Sequence, residues 1–214
     1  ISAAKATEAL APVTVVVPSN QVGVSVRRQL ASGAVGPVGG VGTGLIGTVL
    51  ARILRGFGCE VLAVDPQPSA ECAAMGVAYV QMDQLLARAD IITLQCPLTP
   101  ATHHLINDAA IAAMKPGIVL VNIARGIVID EEAMIAALRS GQIAYAGLDV
   151  FRTEPLPDDS PLWDLPNVLV APHSASTSWN ENQRITDIFV RNIPLYLDGR
   201  YDEMSPLLDK KRGY

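Results

Sequence analysis

The run Ile118-Val119-Leu120-Val121 has no polar residue on either of its alternating faces. A strand of this kind has to be covered on both sides, which points to a parallel sheet with helices above and below it. The same pattern repeats along the chain. Strand-like runs are expected at 34–41, 60–65, 78–80, 91–95, 118–122, 145–149 and 168–171. Helical patterns fall between them at 45–57, 69–75, 82–88, 107–113 and 130–139. Alternation of this type reads as successive βαβ units, so the fold class is α/β with a doubly wound parallel sheet of the Rossmann type.

Two regions lie outside the repeat. Residues 1–33 are rich in Ala, Val and Ser without a clear period, and 34–175 form the repeating α/β domain. Residues 176–197 read as one helix, with Ser176, Thr177 or Ser178 as its N-cap, and a polar tail completes the segment 176–214. The strand expected at 34–41 is irregular, because Pro37 and the glycines at 36, 39 and 40 crowd it. Proline removes a ladder donor and glycine weakens strands, so a distorted strand entry is expected there.

Gly42-Thr43-Gly44-Leu45-Ile46-Gly47 has the form G-x-G-x-x-G. The first glycine permits a tight turn and the second a close backbone approach to a pyrophosphate. The third lets the following helix pack on the sheet. That helix then directs its free N–H groups at the anion. Asp65 lies 18 residues past Gly47, at the end of the next strand. This is near the spacing of about 20 at which a carboxylate binds ribose hydroxyls. A negative charge there repels a 2′-phosphate, so NAD is favoured over NADP.

Three further segments each follow the end of an expected strand. They are Asn122-Ile123-Ala124-Arg125-Gly126, Asp149 through Pro155 with Glu154, and Ala171-Pro172-His173. Open parallel sheets place ligands at such ends. Arg offers a planar clamp for a carboxylate, His exchanges a proton near neutral pH, and a neighbouring Glu orients the imidazole.

From Gly42 onward the chain resembles the D-isomer-specific 2-hydroxyacid dehydrogenases. The resemblance rests on GTGLIG at 42–47, VDP at 64–66, CPLTPATHHLIN at 96–107 and MKPGIVLVNIARGIVID at 114–130. It continues through AGLDVFRTEPLP at 146–157 and NVLVAPHSAS at 167–176. The last segment and ENQRITDIFVRNI at 181–193 are most similar to the glyoxylate/hydroxypyruvate-reductase branch.

The resemblance implies that Arg125 grips the carboxylate and carbonyl of a small 2-oxo acid. It implies that His173 protonates the carbonyl oxygen as hydride arrives, with Glu154 holding the imidazole. Leu45 and Ile46 would make contacts at the pyrophosphate turn and Asp65 would bind the adenosine ribose. Cys96, Pro97 and Thr102 would line the groove, while Ile123, Ala124 and Asp149 would adjoin the nicotinamide. Glu rather than Gln at 154 argues against a formate-oxidising relative, and the order Arg, Glu, His argues against an L-type lactate or malate dehydrogenase. A homodimer formed through the dinucleotide domain is also implied.

Family members carry a longer segment ahead of this domain, which forms a second lobe over the substrate. Here 41 residues precede Gly42, the first 33 resemble the family at best through Arg27-Arg28, and the chain starts at Ile1. A fragment, a processed chain or an incompletely read sequence is therefore expected, with the substrate lobe largely missing. The segment from 176 would normally pack on that lobe. Two readings follow: an NAD-linked reductase of a small 2-oxo acid, or an NAD(H)-binding module without competent catalysis, as in corepressor-like family members.

Composition narrows the partners. The formal charge of −5 argues against nucleic acid and anionic membrane surfaces. No apolar run is long enough to span a bilayer. Cys59, Cys72 and Cys96 are widely spaced, fitting neither a disulfide framework nor a metal knuckle, and with three histidines no metal site is expected. That usage fits a reducing, cytoplasmic compartment. His103, His104 and Trp163 read as structural, and Cys96 as a packing residue rather than a nucleophile.

Overall fold

A computed structural model describes residues 37–42, 45–175 and 178–207. The chain divides into two compact units, one ending at Pro172 and the other beginning at His173.

Among the described residues the first unit is built on seven strands: β1 (Val38–Val41), β2 (Val61–Val64), β3 (Ala78–Tyr79), β4 (Ile91–Leu94), β5 (Ile118–Asn122), β6 (Ile143–Leu148) and β7 (Val168–Val170). Their order across the sheet is β3-β2-β1-β4-β5-β6-β7. Every neighbouring pair runs parallel. Five helices connect them: α1 (Leu45–Gly56), α2 (Ala70–Ala74), α3 (Met82–Arg88), α4 (Asp108–Ala112) and α5 (Glu131–Ser140).

Burial follows the apolar pattern that dictated the strands. Ile118 and Leu120 enter a large core cluster with Leu85, Ile92, Leu94, Met134 and Leu138. Val119, the residue between them, enters a separate cluster with Val38, Ala51, Val61 and Cys72. Both faces of β5 are therefore covered, as its sequence requires.

The glycines of β1 do not distort it. Val38 pairs with Val61 and Ile91, and Val41 pairs with Val64 and Leu94. A Cβ on Gly39 would lie 2.8 Å from Leu85 Cγ and 3.1 Å from Ala89 Cβ, so its absence lets α3 sit close on the sheet. Pro37 stands just before the strand and contributes its carbonyl, which accepts from Asp90 N–H at 2.7 Å. Residues 34–36 of the expected strand lie outside the described residues.

In the second unit α6 spans Glu181–Leu197 with Asn180 as N-cap, later than the serines and threonine expected to cap it. Among those three, Ser176 and Thr177 lie outside the described residues. Ser178 contributes its carbonyl, which accepts from Glu181 N–H at 3.1 Å. Buried Asn192 exchanges two hydrogen bonds with the Ser205 backbone, at 3.1 and 3.2 Å, and so folds the following segment back on the helix. No helix among the described residues is long and apolar enough to cross a membrane.

Candidate active site

The strand order reverses direction at β1: β2 and β3 extend the sheet on one side of it, and the chain then crosses over to β4 on the other. In open parallel sheets the crevice at that reversal, outside the carboxyl ends, receives the ligand. The glycine turn stands at this point. Gly42 N–H donates to Val64 C=O at 3.0 Å, and the backbone there has φ +97°, a region costly for any residue with a Cβ. Gly47 meets a different constraint. A Cβ on it would lie 2.2 Å from the Gly42 carbonyl oxygen, so the first turn of α1 can only pack on the strand end as glycine. Gly44 lies outside the described residues, as does the side chain of Leu45, whose backbone opens α1. Ile46 is exposed.

The helix that follows is suited to an anion. α2, α3, α4, α5 and α6 each carry Asp or Glu in their first turn, whereas α1 has none. Its N-terminal N–H groups and positive dipole end are thus left without an internal counter-charge. The Gln95 amide nitrogen reaches across to the Gly42 carbonyl at 3.0 Å. Gln95 Oε1 and Thr93 Oγ1 are buried with no hydrogen-bond partner among the described residues. Gln95 is a structural partner of the turn that the sequence reading missed. Its link to Gly42 spans 53 positions and leaves no local signal.

Asp65 follows β2, and its Oδ1 accepts from Gln67 N–H at 2.8 Å. Cys96 follows β4. The Cβ position of Gly42 is 3.0 Å from Cys96 N, which places these two expected cofactor residues side by side. Burial pushes the Cys96 thiol up, and the Asp65 carboxylate adds to that rise while the thiol's own backbone N–H opposes it. The thiol is therefore held neutral, as expected of a packing residue. Pro97 and Thr102 are joined, with Thr102 Oγ1 donating to the Pro97 carbonyl at 2.7 Å. Thr102 Oγ1 also accepts from Thr99 N–H at 2.8 Å.

Farther along the same edge, Ile123 N–H donates to Leu94 C=O at 3.1 Å, and Asp149 N–H to Asn122 C=O at 3.0 Å. These bonds align the ends of β4, β5 and β6. Ala124 and Asp149 are buried, and Arg125 is exposed with one guanidinium nitrogen 2.6 Å from the Ala124 carbonyl. Glu154 is exposed, and its Oε1 accepts from Phe151 N–H at 2.9 Å. Arg125 and Glu154 thus leave neighbouring strands at one end of the sheet. His173 opens the second unit with φ +52°, an uncommon backbone for a residue with a Cβ.

His103 and His104 stack with ring centroids 4.2 Å apart in the turn after β4. His104 N–H donates to the Ile127 carbonyl at 3.0 Å. Trp163 Nε1 donates to the Pro157 carbonyl at 2.9 Å, closing a loop. No group of three His, Cys, Asp or Glu among the described residues could hold a metal ion.

A parallel sheet of this order, with a glycine cradle at the strand reversal and an uncompensated helix N-terminus above it, defines a dinucleotide-binding domain of the doubly wound class. Residues 26–175 match the family described as D-isomer specific 2-hydroxyacid dehydrogenase, NAD binding domain. The chain belongs to that family, and its cofactor is NAD.

Similar proteins include the D-3-phosphoglycerate dehydrogenase of Mycobacterium leprae, 45% identical over 80% of this chain and 35% of that protein. The glyoxylate reductase of Korarchaeum cryptofilum is 40% identical over 76% of this chain and 49% of that protein. Among solved structures, a D-isomer specific 2-hydroxyacid dehydrogenase from Xanthobacter autotrophicus in complex with NADPH and MES superposes with TM-score 0.74. It is 37% identical, covering 89% of this chain and 81% of that one. The Aquifex aeolicus D-lactate dehydrogenase complexed with NAD and lactic acid gives TM-score 0.70 at 32% identity, covering 80% of this chain and 58% of that one. The chain spans a third to a half of the curated relatives' length.

Proposed function

We propose that this chain is the cofactor-binding part of an NAD-dependent oxidoreductase that moves a hydride between nicotinamide and a small D-2-hydroxy or 2-oxo acid, such as glyoxylate or hydroxypyruvate. The observation that carries the reading is the alignment of the Arg125 and Glu154 loops at adjacent strand ends, on the same sheet edge as the Gly42 turn. Relatives named glyoxylate reductase and hydroxypyruvate reductase support the substrate class.

In this reading residues 34–175 bind the dinucleotide. Gly42, Gly44, Leu45, Ile46 and Gly47 receive the pyrophosphate and Asp65 the adenosine ribose. Cys96, Pro97 and Thr102 border the groove, and Ile123, Ala124 and Asp149 border the nicotinamide end. Bound NADH supplies the hydride. Arg125 fixes the substrate carboxylate and carbonyl, His173 hands a proton to the carbonyl oxygen, and Glu154 is the carboxylate partner of that imidazole. Residues 176–214 serve to pack on a substrate lobe. The protein works as a homodimer in the cytoplasm, where its three free cysteines remain reduced.

The test pairs cofactor affinity, followed by NADH fluorescence, with NADH oxidation in the presence of glyoxylate, hydroxypyruvate and pyruvate. His173→Ala is expected to leave the NADH Kd within about threefold while lowering turnover by ~10²–10⁴-fold, the usual worth of a general acid. Turnover that survives His173→Ala removes the proposed proton donor. NADH binding by the parent chain with no turnover on any of the three acids favours the alternative, a cofactor-binding module without competent catalysis.

A further inference from the structure

The loop bearing Arg125 is held on both sides by residues that carry no reactive group. Asn122 ends β5 and is 1% exposed. Its Oδ1 accepts from Ala124 N–H at 3.0 Å, and its Nδ2 donates to the Arg125 carbonyl at 3.0 Å. One buried side chain therefore spans the turn that leads into Arg125. Beyond Arg125, the constraint comes from Gly126. A Cβ there would lie 1.9 Å from the Phe151 carbonyl carbon, 2.0 Å from its oxygen and 2.4 Å from Arg152 N. What this position requires is space rather than an unusual backbone angle, because the two main chains are in direct contact.

Neither chain is free to retreat. Phe151 is buried and its N–H is bound to Glu154 Oε1 at 2.9 Å. Arg152 N–H is bound to Glu131 Oε2 at 3.2 Å. Val128 and Ile129 N–H return to the Arg125 and Gly126 carbonyls at 3.1 and 3.0 Å. Ile106 N–H donates to Val128 C=O at 3.1 Å, and Asp130 N–H to Ile106 C=O at 2.9 Å, which ties the far side of the turn to the segment after β4.

We propose that Asn122 and Gly126 are positioning residues, which together set the spacing between the Arg125 loop and the Glu154 loop. The inference rests on the assignment of substrate binding to Arg125. An ordinary carbon–carbon contact is about 3.5 Å, so a methyl group at 126 must move one loop against the other by more than ~1 Å. Misplacement of about 1 Å can cost ~10²-fold in rate when two groups must meet a substrate together. β4 separates β5 from the glycine turn, so the disturbance reaches the proposed nicotinamide end and leaves the proposed pyrophosphate site in place.

Gly126→Ala and Asn122→Asp are to be compared with the parent chain by amide hydrogen exchange, NADH affinity and 2-oxo acid reduction. Asn122→Asp is nearly isosteric. It keeps the acceptor for Ala124 N–H and turns an oxygen toward the Arg125 carbonyl, so it perturbs the same turn without the steric clash.

In Gly126→Ala, exchange is expected to rise at least tenfold at Phe151, Arg152, Val128 and Ile129. Exchange in β4 should stay unchanged, and the NADH Kd should move by less than about tenfold because the glycine turn is untouched. Asn122→Asp should raise exchange at Val128, whose N–H donates to the Arg125 carbonyl, and leave Ala124 protected. Where turnover is present, kcat falls by ~10²-fold in Gly126→Ala while the KM for NADH changes by less than about tenfold.

Unchanged exchange at Phe151 and Arg152 overturns the proposal. So does protection lost evenly across the sheet together with NADH binding, in both variants, since that is a folding defect. Local loosening in the variants, with a parent chain that never reduces a 2-oxo acid, leaves the positioning intact and removes the enzymatic reading instead.

Discussion

Asp65 combines two roles that a single substitution separates. Its carboxylate accepts from Gln67 N–H and so shapes the turn after β2, and the proposed function gives its charge the adenosine ribose. Asp65→Asn keeps the acceptor and removes the charge. It is expected to weaken NADH by about tenfold, the worth of one lost charge-assisted hydrogen bond, and to strengthen NADPH. Fluorescence titration with both cofactors measures this, and an unchanged preference would separate Asp65 from cofactor choice.

Cys96 tests the opposite kind of expectation. Burial holds its thiol above the ordinary range. The neutral form is thus favoured in the fold, so its contribution to stability is complete below the ordinary thiol value and lost as pH rises through the raised one. Alkylation by iodoacetamide at pH 8 should therefore run at least tenfold slower than at a free cysteine, because only the thiolate reacts. Rapid labelling would instead mark an activated nucleophile.

At this scale the sequence revealed the residues whose type is dictated by backbone geometry, Gly42 and Gly47. It hid Gln95 and Asn122, whose roles consist of buried hydrogen bonds to main-chain atoms. An amide at a strand end looks the same whether or not such a bond exists.

The elements show why apolar period is a better guide than composition. β5 and α3 fall where their patterns place them, at 118–122 and 82–88. β6 begins two residues earlier than the expected 145, at Ile143, because its register with β5 shifts between Ile118 and Val119 and leaves Ala144 unmatched. A bulge of this kind interrupts the pairing pattern that marks a strand. The glycines of β1 read as a disturbance in one dimension, yet they are a packing device in three. Gly39→Ala would press its methyl on Leu85 Cγ, and overpacking of this type costs about 1–3 kcal/mol. Leu85→Ala alone opens a cavity, and in the double variant the two changes should offset in part. Urea denaturation of the four species checks this, and strict additivity would mean the two side chains do not meet.

α5 is bounded by strong local signals. Asp130 Oδ1 accepts from Ala133 N–H at 3.2 Å, and Gly141 ends the helix at φ +81°. Asp130→Ala should cost about 1 kcal/mol in the same measurement.

On the scale of the whole molecule, apolar side chains remain at the surface in two rows. Ile46, Val49 and Ile53 are exposed on α1. Ile185, Phe189, Ile193 and Leu197 are exposed on α6. Rows of this kind mark contact surfaces. The proposed homodimer is expected to appear in light scattering as about twice the mass of 22.6 kDa. Val49→Glu with Ile53→Glu should return the monomer, and a monomer in the parent chain would remove the dimer. The architecture was legible because seven strands repeat one physical pattern. The apolar row of α6 was legible too, since the segment from 176 was expected to pack on a further lobe, but the row of α1 was not, because an exposed apolar row resembles a core-facing one in sequence.

The position of β1 has a consequence for how the protein is made. It is the first of the described strands to leave the ribosome, yet it lies in the middle of the finished sheet, and the partner on one of its sides, β4, begins only at Ile91. Contacts this distant in sequence close slowly. Until β4 emerges, a nascent chain carries a central strand with one bare edge, the template on which unwanted strand pairing starts. The stretch of translation between β1 and Ile91 is where a holding chaperone has most to protect.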